Sequence, residues 1–244
     1  MLENAFENAK SRLIFALDVQ TANEAVLWGE RLVNSVGMWK IGLELFLREG
    51  RSVVERMASF GLPIFLDLKL HDIPVTVHRA ILNLEGLPLQ FLTVHASGGL
   101  EMLRQAQAAA DLLSSHPTIL GVTVLTSLGI EDLARDGFTK TPEELVISRV
   151  RLCQQAQVKG VVASALEVGS LKHLVPPDFV RVIPGIRPGH NTQDQKRTAT
   201  PSAAIVAGAT HIVVGRPIRD AADPVLAAQA IVHEIAMALQ EEHH

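Results

Sequence analysis

The feature that most constrains the fold is a repeated switch of hydrophobic period. Short β-rich runs alternate with longer helical patterns along the whole chain. The candidate strands are Leu13–Asp18, Met38–Gly42, Pro63–Lys69, Phe91–His95, Thr118–Leu125, Gly160–Ala163, Phe179–Ile183 and His211–Val214. Between them lie helical segments such as Asn23–Val36, Glu44–Ser59, Gly99–Leu113 and Glu143–Gln157. A last, Ala-rich helix runs over Pro224–Gln240, with a proline suited to its first turn. Eight strands, each followed by a helix, in 244 residues predict a (β/α)8 TIM barrel, with residues 1–244 as one domain. Length alone also allows two small domains, but no repeat, low-complexity tract or linker interrupts the pattern. A doubly wound open sheet is the structural rival. Its dinucleotide version needs a glycine fingerprint after the first strand, and the turn Asp18-Val-Gln-Thr-Ala-Asn has no glycine.

Composition narrows the class of partner. With 48% hydrophobic residues the chain can bury a substantial core, so disorder is excluded for its bulk. The net charge of −4 comes without a long basic run, which argues against nucleic acid as a partner. A small anion needs only one or two well-placed cations and is not excluded. Cys153 is the single cysteine, so an internal disulfide is impossible, and nothing near it resembles a metal quartet. Both points suit a reducing cytoplasm. The N-terminal stretch has no basic region followed by an apolar one, so no signal peptide is expected. No apolar stretch reaches the ~20 residues of a membrane helix.

Two connections are too long to be plain turns: Thr126–Pro142 after the fifth strand and Pro184–Pro201 after the seventh. Both leave carboxyl ends of strands, where barrel enzymes place their active sites. Long βα loops of this kind are typically binding loops or lids.

The charged end of the third strand carries the chemistry. Strand side chains alternate, so Phe65, Asp67 and Lys69 share one face while Ile64, Leu66, Leu68 and Leu70 share the other. The aliphatic face suits packing under helices. The other turns from apolar to charged towards the carboxyl end, as an inward face entering an active site would. Lys40 shares the face of Met38 and Gly42 in the second strand, and Asp18 shares that of Ile14 and Ala16 in the first. Three consecutive strands thus deliver Asp18, Lys40, Asp67 and Lys69 to one mouth, and Asp72 follows just past the third. A lone Asp-x-Lys reads as a solvated ion pair at the rim. Four inward charges of alternating sign read differently, because inward charges are costly unless paired, and pairing fixes a lysine's geometry and protonation.

These residues resemble a known family. Asp67-x-Lys69-x-x-Asp72-Ile73-Pro74-x-Thr76 is similar to the signature of the orotidine 5′-phosphate decarboxylases, the last enzymes of de novo UMP synthesis. The likeness extends to Leu17-Asp18-Val19, Lys40-Ile41-Gly42, Val94-His95-Ala96 and Val124-Leu125-Thr126-Ser127. It continues through Pro184-Gly185-Ile186-Arg187-Pro188 and Val214-Gly215-Arg216-Pro217-Ile218, in family order and with spacings like the bacterial branch. The resemblance implies a cofactor-independent, metal-free decarboxylation of orotidine 5′-monophosphate to UMP through a C6 carbanion. Lys69 is then the proton donor to C6, with Lys40, Asp67 and Asp72 completing the charged network. It also implies a homodimer in which Asp72, Ile73 and Thr76 enter the neighbouring active site. Asp18 would bind ribose hydroxyls, and Thr126 would lie near the pyrimidine. Gln195 would bridge phosphate and base, and its neighbour Gln193 is the alternative for that contact.

Phosphate binding has separate support. Barrels often hold phosphate between the loops after strands seven and eight, and here those loops supply Arg187, Gly215 and Arg216. Glycine permits close backbone approach, and arginine can pair with phosphate in a bidentate manner. The chain departs from the family at Val75, where asparagine is common. Within the same superfamily, Mg2+-dependent sugar-phosphate decarboxylases and aldolases share the Asp-x-Lys-x-x-Asp core. They would need a metal-binding glutamate near the second strand, and Glu44 is the candidate close by, though it reads as an ordinary first-turn acid. A non-catalytic phosphate-ligand-binding barrel would have no need for Lys69 and its aspartates. No histidine pattern calls for a metal; His71, at the mouth, and His95, at a strand end, read as hydrogen-bonded structural residues.

Overall fold

A computed structural model describes residues 2–189 and 199–241. Eight parallel strands pair in chain order and close into a barrel: β1 (Leu13–Ala16), β2 (Met38–Gly42), β3 (Ile64–Leu70), β4 (Leu89–His95), β5 (Thr118–Val122), β6 (Gly160–Val162), β7 (Val180–Ile183) and β8 (His211–Val214). Closure is made by β8 pairing with β1 through Leu13↔Ile212, Ile14↔Val213 and Phe15↔Val214. Around it, in chain order, run α1 (Leu2–Ser11), α2 (Ala22–Leu32), α3 (Leu43–Glu49), α4 (Arg51–Ala58), α5 (Pro74–Leu82) and α6 (Gly99–Ala110). They continue with α7 (Ile130–Arg135), α8 (Pro142–Gln155), α9 (Val168–Leu171), α10 (Pro201–Val206), α11 (Arg216–Arg219) and α12 (Pro224–Glu241). The expected (β/α)8 barrel is the observed one. None of the described helices is long and apolar enough to cross a membrane.

Strand parity divides the core in two. Ile14, Ala16, Met38, Phe65, Phe91, Leu120, Val182 and Val213 form a cluster inside the barrel. Their neighbours Phe15, Trp39, Ile41, Leu66 and Leu92 belong to a separate layer between strands and helices. Phe65 and Phe91 meet edge-on, with centroids 5.9 Å apart, and plug the centre. The apolar interior therefore stops at one level, and the polar residues of the same face continue above it.

Several element boundaries differ from those the sequence predicts. The first strand ends at Ala16 rather than Asp18, so Asp18 stands just beyond the ladder. The fifth ends at Val122 rather than Leu125. The segment Glu44–Ser59 is two helices, broken at Gly50, whose φ of 65° lies in the left-handed region that glycine tolerates. The long connection after β5 contains α7. The N-terminal helix α1, which the sequence reading did not anticipate, packs against α12. The start of α8 is well specified: Thr141 and Glu144 form a reciprocal capping box, with Pro142 in the first turn.

Candidate active site

The inner faces of the first three strands carry their charges above the apolar plug. Lys69 Nζ lies 2.7 Å from Asp67 Oδ2, and Lys40 Nζ lies 3.6 Å from the same oxygen and 3.3 Å from Asp18 Oδ1. The four side chains thus form one chain of alternating sign, Lys69–Asp67–Lys40–Asp18. Depth separates their roles. The side chains of Lys40 and Asp67 are each 12% exposed, whereas those of Lys69 and Asp18 are 37% and 55% exposed. Lys69 is therefore the more accessible ammonium, and Lys40 is the deeper one, set between the two carboxylates.

Electrostatics keep Asp67 ionised. Burial alone would push its carboxyl up, but the ammonium groups of Lys40 and Lys69 and hydrogen bonds from Lys69 and Thr93 outweigh it, holding the group below its ordinary range. Both Asp67 oxygens are used: Oδ2 faces the lysines, and Oδ1 accepts the Thr93 hydroxyl at 3.0 Å. Thr93 is fully buried on the inner face of β4 and was not singled out in the sequence.

The backbone at Lys69 is unusual. Its φ is 51°, in the left-handed region that a lysine seldom occupies, at a cost of roughly 1–3 kcal/mol. Pairing explains why. Leu66 is opposite Leu92 and Leu70 is opposite Val94, so Asp67, Leu68 and Lys69 on β3 oppose Thr93 alone on β4. The excess residues bulge the strand end, and the Lys69 N–H donates to Thr93 Oγ1 at 2.9 Å.

The charged chain forms one wall of a cavity of about 290 Å3 whose floor includes Ala16, Phe65, Val162 and Val213. Thr126, Pro184, Gly185, Arg187, Gly215 and Arg216 also line it. The guanidinium of Arg187 donates to the Ile186 carbonyl at 3.0 Å. A Cβ on Gly215 would sit 3.4 Å from both Ala16 Cβ and Asp18 Oδ2, so a side chain there would crowd the cavity where two loops approach. Two arginines outside the sequence reading hold this rim. Arg219 donates to the Asp18 carbonyl at 3.1 Å, and Arg149 donates to the Thr123 carbonyl just before Thr126.

Not every expected residue gathers here. Asp72, Ile73 and Thr76 are exposed at the turn into α5 and do not line the cavity. Asp72 accepts from the Ile73 N–H at 2.6 Å, while Ile73 and Val75, 62% and 48% exposed, present an apolar surface to the outside. Gln195 and Gln193 lie outside the described residues. Glu44 is exposed in the first turn of α3, and among the described residues no group of three His, Cys, Asp or Glu side chains is arranged to hold a metal. His71 and His95 stack at the mouth with centroids 5.2 Å apart. Burial, then the nearby His71, Lys69 and Arg149, pushes the His95 imidazole below its ordinary range, so it is neutral at pH 7.

Residues 11–231 match the model of the orotidine 5′-phosphate decarboxylase / HUMPS family. The orotidine 5′-phosphate decarboxylase of Trichlorobacter lovleyi is 42% identical over 238 residues, covering 96% of this chain and 99% of the relative. That of Nitrosococcus oceani is 44% identical over 228 residues, covering 93% and 98%. The crystal structure of orotidine 5′-phosphate decarboxylase from Lactobacillus acidophilus superposes with a TM-score of 0.81 at 36% identity, covering 91% of this chain and 98% of that one.

Proposed function

The chain belongs to the orotidine 5′-phosphate decarboxylase / HUMPS family, and on that premise we propose that it decarboxylates orotidine 5′-monophosphate to UMP with Lys69 as the acid at C6. The observation that carries this reading is the Lys69–Asp67–Lys40–Asp18 chain lining a cavity that Arg187, Gly215 and Arg216 also line. A cavity lined by an ordered ammonium and two arginines suits an anionic ring joined to a phosphate.

The chemistry follows from that layout. The phosphate binds to Arg216, Arg187 and the backbone at Gly215, and the ribose hydroxyls bind to Asp18. The pyrimidine lies by Thr126 with C6 facing Lys69. The bond between C6 and the carboxylate carbon breaks, CO2 leaves, and the electron pair remains on C6. Charge at C6 has no adjacent carbonyl to spread into, so a fixed ammonium is the stabiliser available from these side chains. Lys69 then gives its proton to C6 and regains one from solvent. Asp67 holds the ammonium in place and, beside the substrate carboxylate, favours departure of CO2. Lys40, braced between two carboxylates, keeps Asp67 from turning away. The distant phosphate supplies binding energy that orients the ring.

A homodimer completes the proposal. Asp72, Ile73 and Thr76 do not line the cavity of their own barrel, and their exposure suits entry into a neighbour's site. On the strength of the resemblance, Gln195, or its alternative Gln193, would bridge phosphate and base. The reaction lies in pyrimidine biosynthesis, and we assign it to the cytoplasm. The test is spectroscopic: orotidine 5′-monophosphate loses its orotate absorbance on incubation with the purified chain in EDTA. A rate that requires added Mg2+ would instead favour the sugar-phosphate branch.

A further inference from the structure

We propose that Thr93 is a positioning residue for decarboxylation, acting through Asp67 and the Lys69 backbone without touching the substrate; this rests on the proposed role of Lys69. Its single hydroxyl makes two directional bonds. It accepts from the Lys69 N–H at 2.9 Å and donates to Asp67 Oδ1 at 3.0 Å. It thereby ties together the backbone of the acid and the side chain that aims it.

Three features make this more than ordinary core satisfaction. Thr93 is the sole β4 residue opposite the three-residue bulge of β3, so it stands where regular ladder pairing is interrupted. The backbone it anchors is the left-handed one at Lys69, a conformation that persists only when its surroundings hold it. By donating to Oδ1, it also orients the carboxylate so that Oδ2 faces Lys69 at 2.7 Å and Lys40 at 3.6 Å. Without that donor the carboxylate is free to rotate, and the ammonium loses its fixed place. Thr93 is absent from the residues lining the cavity, so the effect belongs to the chemical step and not to binding.

The test compares Thr93→Val, which keeps the shape and removes the hydroxyl, with Thr93→Ser, which keeps the hydroxyl. We expect Thr93→Val to lower kcat by ~10–100-fold with KM within about threefold, and Thr93→Ser to return kcat to within about fivefold of wild type. Loss of the hydrogen bond also removes one influence that holds the Asp67 carboxyl low, so the acid limb of the kcat profile moves to higher pH in Thr93→Val. A merely structural loosening would lower kcat without moving that limb. Should Thr93→Val fail to fold, Thr93→Ala against Thr93→Ser makes the same comparison. A folded Thr93→Val with kcat within twofold of wild type, or an unmoved acid limb, overturns the inference while the function stands. A wild type that does not decarboxylate orotidine 5′-monophosphate overturns both.

Discussion

Lys69 and Asp67 are two residues apart on one strand and meet at 2.7 Å within the bulge that they and Leu68 form opposite Thr93. On a regular strand, residues i and i+2 lie side by side on one face with parallel side chains. Here the left-handed backbone at Lys69 turns its ammonium back over the carboxylate. The pair is anchored from below by Lys40 and laterally by Thr93, so the acid at the mouth is held by groups from β2, β3 and β4. Such preorganisation lets a charge act on a transition state without first reorienting.

The dimer proposal has its own signature. Lys69→Ala and Asp72→Asn should each be nearly inactive alone. Mixed and reassembled, half the dimers are heterodimers, and each of those has one site with both residues intact, so activity should recover to about a quarter of wild type. A mixture no more active than the sum of its parts would place Asp72 outside the neighbouring site.

Phosphate recognition should be separable from chemistry. Arg216→Ala should raise KM for the phosphorylated substrate by about 30–150-fold, as loss of a charged hydrogen-bonded pair worth about 2–3 kcal/mol implies. Binding of the unphosphorylated nucleoside should change by less than about threefold. Calorimetry with UMP and uridine distinguishes the two, and an equal loss for both ligands would remove Arg216 from the phosphate site.

Acid sensitivity of the fold should trace in part to His211. Its ring packs against Phe91 with centroids 5.1 Å apart, and burial, then the nearby Arg12, pushes its pKa down to about 4. The unfolded chain binds a proton at this residue below its ordinary value of 6.5, while the folded protein does so only near 4. Stability should therefore fall as pH drops from about 6.5 towards 4, and be unaffected by this group above that window. Urea unfolding at pH 7 and pH 4.5 should show a smaller difference for His211→Gln than for wild type. An equal difference would assign the acid loss to other groups.

Much of this was legible in the sequence, because the barrel rests on periodicity and parity. Alternation along β1, β2 and β3 assigns Asp18, Lys40, Asp67 and Lys69 to one mouth, and the side chains meet there. The same parity applied to Phe91-x-Thr93-x-His95 would have flagged Thr93, yet a lone threonine on an inner face gives no chemical signal without its partners. The bulge at Lys69 was out of reach, since it arises from the register between β3 and β4 and not from either strand alone. Arg219 supports Asp18 from 201 residues away, a contact that only closure of the barrel creates. The break at Gly50 lay within an unbroken helical pattern, where the glycine was the available warning.

If the Lys69 ammonium stabilises and protonates C6, the loss of orotate absorbance from orotidine 5′-monophosphate, followed in EDTA for wild type and Lys69→Ala side by side, will depend on it. Removing both the electrostatic and the proton-donor contribution should lower kcat by about ten-thousand-fold or more, while Lys69→Ala keeps its fold and still binds UMP. A folded Lys69→Ala protein that turns over within tenfold of wild type would contradict the account.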